Sequence, residues 1–139
     1  MVTKQRVLIL CTHNSARSQM AEALLRTMGG DGFECHSAGT APGGVHPLAV
    51  EAMSEIGVDI TGQESKSIER YRDAAFDYVV TVCDEAREAC PFFPARNQLH
   101  WSLPDPSAAP GDPEARKDAF RAVRDRLRAL VAQFSAGAE

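Results

Sequence analysis

The segment Cys11-Thr12-His13-Asn14-Ser15-Ala16-Arg17-Ser18 puts a thiol, a guanidinium and small polar side chains within a few residues. A tight turn here would aim successive backbone N–H groups inward as an anion nest, and a following helix N-terminus would add partial positive charge. Arg17 supplies a planar fork that grips two oxygens of a tetrahedral anion. Cys11, at the entrance of the turn, lies in the field of those donors, which favours the thiolate over the thiol. Ser18 can donate a hydroxyl hydrogen to that sulfur. The chemistry implied is nucleophilic attack by Cys11 on an oxyanion held by residues 12–18. His13 either bonds the oxyanion or caps the turn. A lone Cys-x5-Arg is a common coincidence; here a strand precedes it, a helix follows it, and Ser succeeds Arg.

The remaining thiols are Cys35, Cys83 and Cys90. Four cysteines are too sparse for a secreted disulfide scaffold, and in a reducing compartment free thiols are buried, catalytic or metal-bound. Cys83 and Cys90, with six residues between them, suit either core positions at helical spacing or a thiol pair. Zinc shared with His100 is disfavoured, because the spacing misses the usual two-to-four pattern. No metal is expected. Cys35, in a strand pattern between Glu34 and His36, reads as packing. Asp105-Pro106 alone is a turn aspartate.

Short apolar runs and helical periods alternate to position these groups. Residues 6–11 form a continuous apolar run of strand length, and Ala21, Leu24, Leu25 and Met28 follow at helical spacing until Gly29-Gly30. Residues 33–37 make a second strand and 39–44 a loop. His46-Pro47 opens a helix with Val50, Met53 and Ile56 as its inward stripe, closed by Gly57. Residues 78–82 are the strongest strand, 84–89 a short helical segment stopped by Pro91, and 97–101 a last strand. A final helix carries Phe120, Val123, Leu127, Leu130, Val131 and Phe134 on one side, with Arg and Lys mostly on the other. Alternating strands and helices predict an α/β fold, a mainly parallel sheet with helices on both faces. In such folds ligands bind at the carboxyl ends of strands, where both Cys11 and Cys83 fall.

The whole chain, residues 1–139, is the length of one domain, and 44% hydrophobic with 24% charged residues is a soluble composition. Lys and Arg number 15 against 19 Asp and Glu, a net charge of -4, so no basic field for nucleic acid or membrane exists. The apolar run Val7-Leu8-Ile9-Leu10 is too short for a signal-peptide core or a membrane span, and a cytoplasmic monomer is expected.

The pattern C-T-x-N-S-x-R-S-Q-M-A-E resembles the phosphate-binding loop of low-molecular-weight protein tyrosine phosphatases and thioredoxin-coupled arsenate reductases. The resemblance continues through His36-Ser37-Ala38-Gly39, Val79-Val80-Thr81-Val82-Cys83, Cys90-Pro91, Trp101 and Asp105-Pro106. It implies a three-layer α/β/α fold with a four-stranded parallel sheet. A phosphatase needs one thiolate and Asp105 as general acid. A reductase must also supply two electrons, and V-V-T-V-C-x6-C-P matches that branch. The resemblance then implies that Cys11 attacks arsenate, Cys83 releases arsenite and forms a disulfide with Cys11, and Cys90 takes Cys83 over. Thioredoxin is the expected external reductant, with glutaredoxin- or mycothiol-type coupling left open, and no bound cofactor. Phosphate and sulfate should bind the loop as analogues. On an intact helix residues seven apart rise about 10.5 Å, beyond the roughly 7 Å a disulfide spans, so 83–90 must unwind. Some reductases bind potassium through an Asn, a Glu, a Ser and an Asp. Asn14, Glu22 and Ser37 match, whereas Lys66 replaces the Asp, so potassium independence is expected. With Ser107-Ala108-Ala109-Pro110 after Asp105-Pro106, the aromatic wall of the phosphatase branch is missing. A low-molecular-weight phosphatase is the alternative reading.

Overall fold

The computed structural model describes residues 4–84 and 92–137; the proposed short helix over 84–89, apart from Asp84, and Cys90 lie outside them. Four strands form one sheet: β1 (Gln5–Cys11), β2 (Phe33–Gly39), β3 (Tyr78–Cys83) and β4 (Asn97–Ser102), in the order β2-β1-β3-β4 and parallel throughout. Three α-helices accompany them, α1 (Arg17–Gly29), α2 (Pro47–Ser54) and α3 (Pro113–Gly137). The four strands expected from the apolar runs are all present, each a residue or two longer at one end or both.

Alternation along β1 splits its side chains between two cores. Val7 and Ile9 join Val80 and Val82 beneath Leu24, Leu25, Met53, Phe120 and Leu127 from the three helices. Leu8 and Leu10 face the other way, against Val79, Phe76 and Phe93. The described cover on that second face is a 3-10 turn at Ile68–Tyr71 and a T-shaped Phe76–Phe93 ring pair. Phe120, Leu127 and Val131 are wholly buried, and such side chains contribute about 1.5–3 kcal/mol each.

Two helices depart from the periodic reading. The buried face of α2 is Ala49, Ala52 and Met53, while Val50 and Ile56 are half-buried; small side chains let this short helix lie close to its neighbours. In α3, Arg124 is buried rather than on the solvent face: its guanidinium donates to the Ala52 carbonyl at 2.9 Å and to Glu55 at 2.7 Å. The ion pair with Glu55 ties α3 to the end of α2 and satisfies the buried charge. No helix among the described residues is long and apolar enough to cross a membrane.

Sheet order fixes where a ligand can sit. From β1 the chain moves outward to β2, then returns across β1 to β3 and on to β4. The direction therefore reverses between β1 and β3, and the crevice beyond their carboxyl ends is the switch point where α/β folds bind ligands. Cys11 ends β1 and Cys83 ends β3.

Candidate active site

Residues 11–18 run from the end of β1 into the first turn of α1. The chain turns sharply at Asn14, whose φ of +48° is the one positive value outside glycine among the described residues. That turn carries the Asn14 N–H back to 3.2 Å from Cys11 Sγ. Cys11 is 2% exposed, and its sulfur lies 2.8 Å from Ser18 Oγ. Because Asn14 Nδ2 already donates to Ser18 Oγ at 2.7 Å, the serine's own hydrogen is available to the sulfur. Two donors thus converge on Cys11 Sγ.

Helix α1 begins at Arg17 with Ala16 in the capping position, and no side chain caps it. A helix N-terminus of this kind carries partial positive charge and suits an anion. Arg17 is 3% exposed and donates to the Leu103 carbonyl at 3.1 Å, which anchors the guanidinium below the loop. A small hollow is lined by Cys11, His13, Ser15, Ala16, Arg17 and Asp105. Asp105 reaches it from the segment after β4, where its carboxylate accepts from Ser107 N at 3.0 Å and Ser107 Oγ at 2.7 Å. Thr12, which also lines the adjoining groove, contributes a buried hydroxyl with no partner. His13 is exposed and lines the hollow, and its Nδ1 lies 3.1 Å from the Ala41 carbonyl, a contact within the turn.

The structure gathers Cys11, the loop 12–18, Asp105 and the end of β3 at one rim. Cys83 is wholly buried there and is disulfide-bonded, whereas Cys11 and Cys35 are free thiols. Cys35 stands apart, packed in the helical core, where burial pushes its thiol up to about 11. Cys90 lies outside the described residues. His100 is engaged by Thr81 Oγ1 at 2.8 Å, and the described residues contain no cluster of three His, Cys, Asp or Glu that would hold a metal.

Behind the loop, a buried polar chain extends from the nucleophile. Asn14 Nδ2 also donates to Ser37 Oγ at 3.0 Å, and Ser37 Oγ donates to Glu22 Oε1 at 2.5 Å. Lys66 is buried, its ammonium 3.6 Å from Glu22 Oε1 and 3.0 Å from the Glu64 carbonyl. Lys66 therefore points into this cluster and not into solvent.

Gly39, read from the sequence as the start of a loop and as the last residue of the His36-Ser37-Ala38-Gly39 motif, closes the site from β2. A Cβ there would stand 2.5 Å from Thr12 O, 2.9 Å from Cys11 O and 3.0 Å from Asn14 N. All three are backbone atoms of the anion loop, so none can swing aside. Gly39→Ala should displace the loop and lower kcat/KM for the oxyanion substrate by about a hundredfold, the scale of a 1 Å misplacement. Steady-state kinetics beside a thermal melt would show whether activity falls in protein that is still folded.

Residues 6–138 match the family model described as low molecular weight phosphotyrosine protein phosphatase. A protein of Halalkalibacterium halodurans named arsenate reductase is 40% identical over 135 residues, 96% of this chain and 97% of that one. One of Bacillus subtilis bearing the same name is 38% identical over 130 residues, covering 93% and 94%. A solved arsenate reductase in the phosphate binding state superposes with a TM-score of 0.80 at 30% identity, covering 97% and 99% of the two chains. The thioredoxin-dependent arsenate reductase of Corynebacterium glutamicum gives 0.69 at 31% identity over 96% of this chain and 63% of that one.

Proposed function

The chain belongs to the low molecular weight phosphotyrosine protein phosphatase family and is an arsenate reductase, and from that premise we propose that two electrons reach arsenate through Cys11, Cys83 and Cys90. The observation that supports this reading is the placement of Cys11 and Cys83 at the carboxyl ends of the neighbouring parallel strands β1 and β3, on one rim of the sheet.

Arsenate sits over the N-terminus of α1, two oxygens on Arg17 and the rest on loop N–H groups. The Cys11 thiolate attacks arsenic, and one arsenic-bound oxygen leaves as water with a proton from Asp105. Cys83, as thiolate, attacks Cys11 Sγ; the sulfur–arsenic bond breaks and its electron pair stays on arsenic, which leaves as arsenite. Cys90 attacks Cys83 Sγ and releases Cys11 as thiolate. The resulting disulfide is reduced by an external dithiol, for which thioredoxin is the reading we adopt. The test is arsenate-dependent NADPH oxidation with thioredoxin and thioredoxin reductase. Turnover with one arsenite formed per NADPH is expected; a protein that only hydrolyses aryl phosphate would overturn the reading in favour of a phosphatase.

Lys66 bears on the ionic requirement. Its buried ammonium supplies positive charge beside Glu22, the carboxylate at the far end of the polar chain from Cys11. Turnover should accordingly be equal in sodium and potassium salts at matched ionic strength. Lys66→Met, which leaves Glu22 with Arg26 at 2.6 Å as its remaining cation, should make turnover respond to potassium. Strong potassium stimulation of the unmodified protein would count against the assignment.

A further inference from the structure

Gln19 is fully buried and takes no part in the reaction sequence above. We propose that it is a positioning residue, holding Asn14 in the one conformation from which Asn14 serves the nucleophile. The inference rests on the reading of Cys11 as nucleophile and on nothing else in the relay.

The argument starts from the backbone of Asn14. A left-handed φ is unfavourable for an L-residue, and Asn is among the residues that accept it most readily. Something must hold it there, because its N–H and its Nδ2 face Cys11 Sγ and Ser18 Oγ only in that conformation. Gln19 Nε2 lies 3.0 Å from Asn14 O, 3.0 Å from Asn14 Oδ1 and 2.9 Å from Glu64 O. An amide nitrogen has two hydrogens, so one is shared between the two Asn14 oxygens and the other reaches the segment after α2. One donor group thereby fixes both the peptide plane and the side-chain rotamer of Asn14.

The orientation of the Gln19 amide is itself determined. Gln63 Nε2 donates to Gln19 Oε1 at 2.7 Å and to Gln19 O at 3.1 Å, so the nitrogen end must face Asn14. Lys66 N adds a second donor to Asn14 Oδ1 at 2.8 Å. Without the Gln19 donors, Asn14 O loses its tether and Asn14 Oδ1 keeps only Lys66 N. The residue then relaxes toward ordinary φ, and both donors move away from the sulfur.

The experiment compares parent and Gln19→Met full-length protein, reduced, by the pH dependence of iodoacetamide alkylation at the Cys11 peptide and by arsenate kinetics. The alkylation midpoint should move up by about one pH unit, with kcat/KM falling about tenfold. In an Asn14→Gly background, where left-handed φ is free and the side chain is gone, Gln19→Met should add nothing further. An unshifted midpoint in folded Gln19→Met, or full additivity with Asn14→Gly, would mean that Gln19 merely packs and would end the proposal. Should Gln19→Met not fold, Gln19→Asn, too short by one methylene to reach Asn14, is read against the same two criteria. Absence of arsenate turnover in the parent protein would sink the reductase reading alone, since the alkylation midpoint reports on Gln19 independently.

Discussion

Replacing Cys11 by serine is expected to abolish arsenate turnover while leaving oxyanion binding in place. The substitution changes one atom at a site that is 2% exposed, with Ser18 Oγ at 2.8 Å and Asn14 N at 3.2 Å as its neighbours. Both neighbours suit a hydroxyl oxygen as well as a sulfur, so the loop has no reason to rearrange. The loss is chemical. A serine hydroxyl has no adjacent base here and stays protonated at neutral pH, and an oxygen cannot be the first member of a disulfide relay. Loss of an enzyme's nucleophile costs on the order of 10⁴-fold or more, and here no electrons can flow at all. Phosphate or sulfate affinity, measured by calorimetry, should change little, because the proposed mechanism assigns it to Arg17 and the N–H groups of α1. Substantial arsenate reduction by Cys11→Ser would remove Cys11 from the mechanism. Loss of phosphate binding together with activity would mean that the loop, and not the nucleophile, had been lost.

Sequence patterns carried β1 and β3 well because each is a short apolar run ending in a recognisable residue, Cys11 for β1 and Cys83 for β3. Parallel pairing followed from the alternation of elements. That the two cysteines share one rim also followed, since parallel strands end on the same side. The features that escaped are those made by contacts between distant segments. Arg124 looks like one more solvent-facing arginine of α3 until Glu55 and the Ala52 carbonyl, about seventy positions earlier in the chain, are placed beneath it. No local pattern says which way Lys66 turns, because only the path of the chain after α2 brings it to Glu22. Gly39 and Gln19 are harder still. Neither carries reactive chemistry, and their roles rest on a backbone approach of 2.5 Å and on a three-way amide contact that no local pattern encodes. A signal for Gln19 did exist: a polar amide on the inward side of a helix must find partners or cost stability.

Cys83→Ser should stop reduction and spare everything that precedes it, which makes it the sharper probe of the relay. In the proposed sequence Cys83 acts only after the Cys11–arsenic adduct has formed, and the serine hydroxyl cannot attack sulfur to expel arsenite. Thioredoxin-coupled NADPH oxidation should therefore fall to the background rate. The Cys11 thiol should still react with iodoacetamide, since Ser18, Asn14 and the α1 N-terminus are untouched. Any hydrolysis of a small aryl phosphate by the parent protein should persist, because it needs only Cys11, Arg17 and Asp105, with water in place of the second thiol. Separation of the two activities is the content of the prediction. If arsenate reduction survived with an external thiol at the parent rate, the electrons would not pass through Cys83. If both activities vanished together in a folded protein, Cys83 would be shaping the loop instead of reducing arsenic. Serine is close in size to the wholly buried cysteine it replaces, but it introduces a hydroxyl that needs a partner. Cys83→Ala, smaller and apolar, should give the same split between the two activities, and agreement between the variants ties the loss to the thiol.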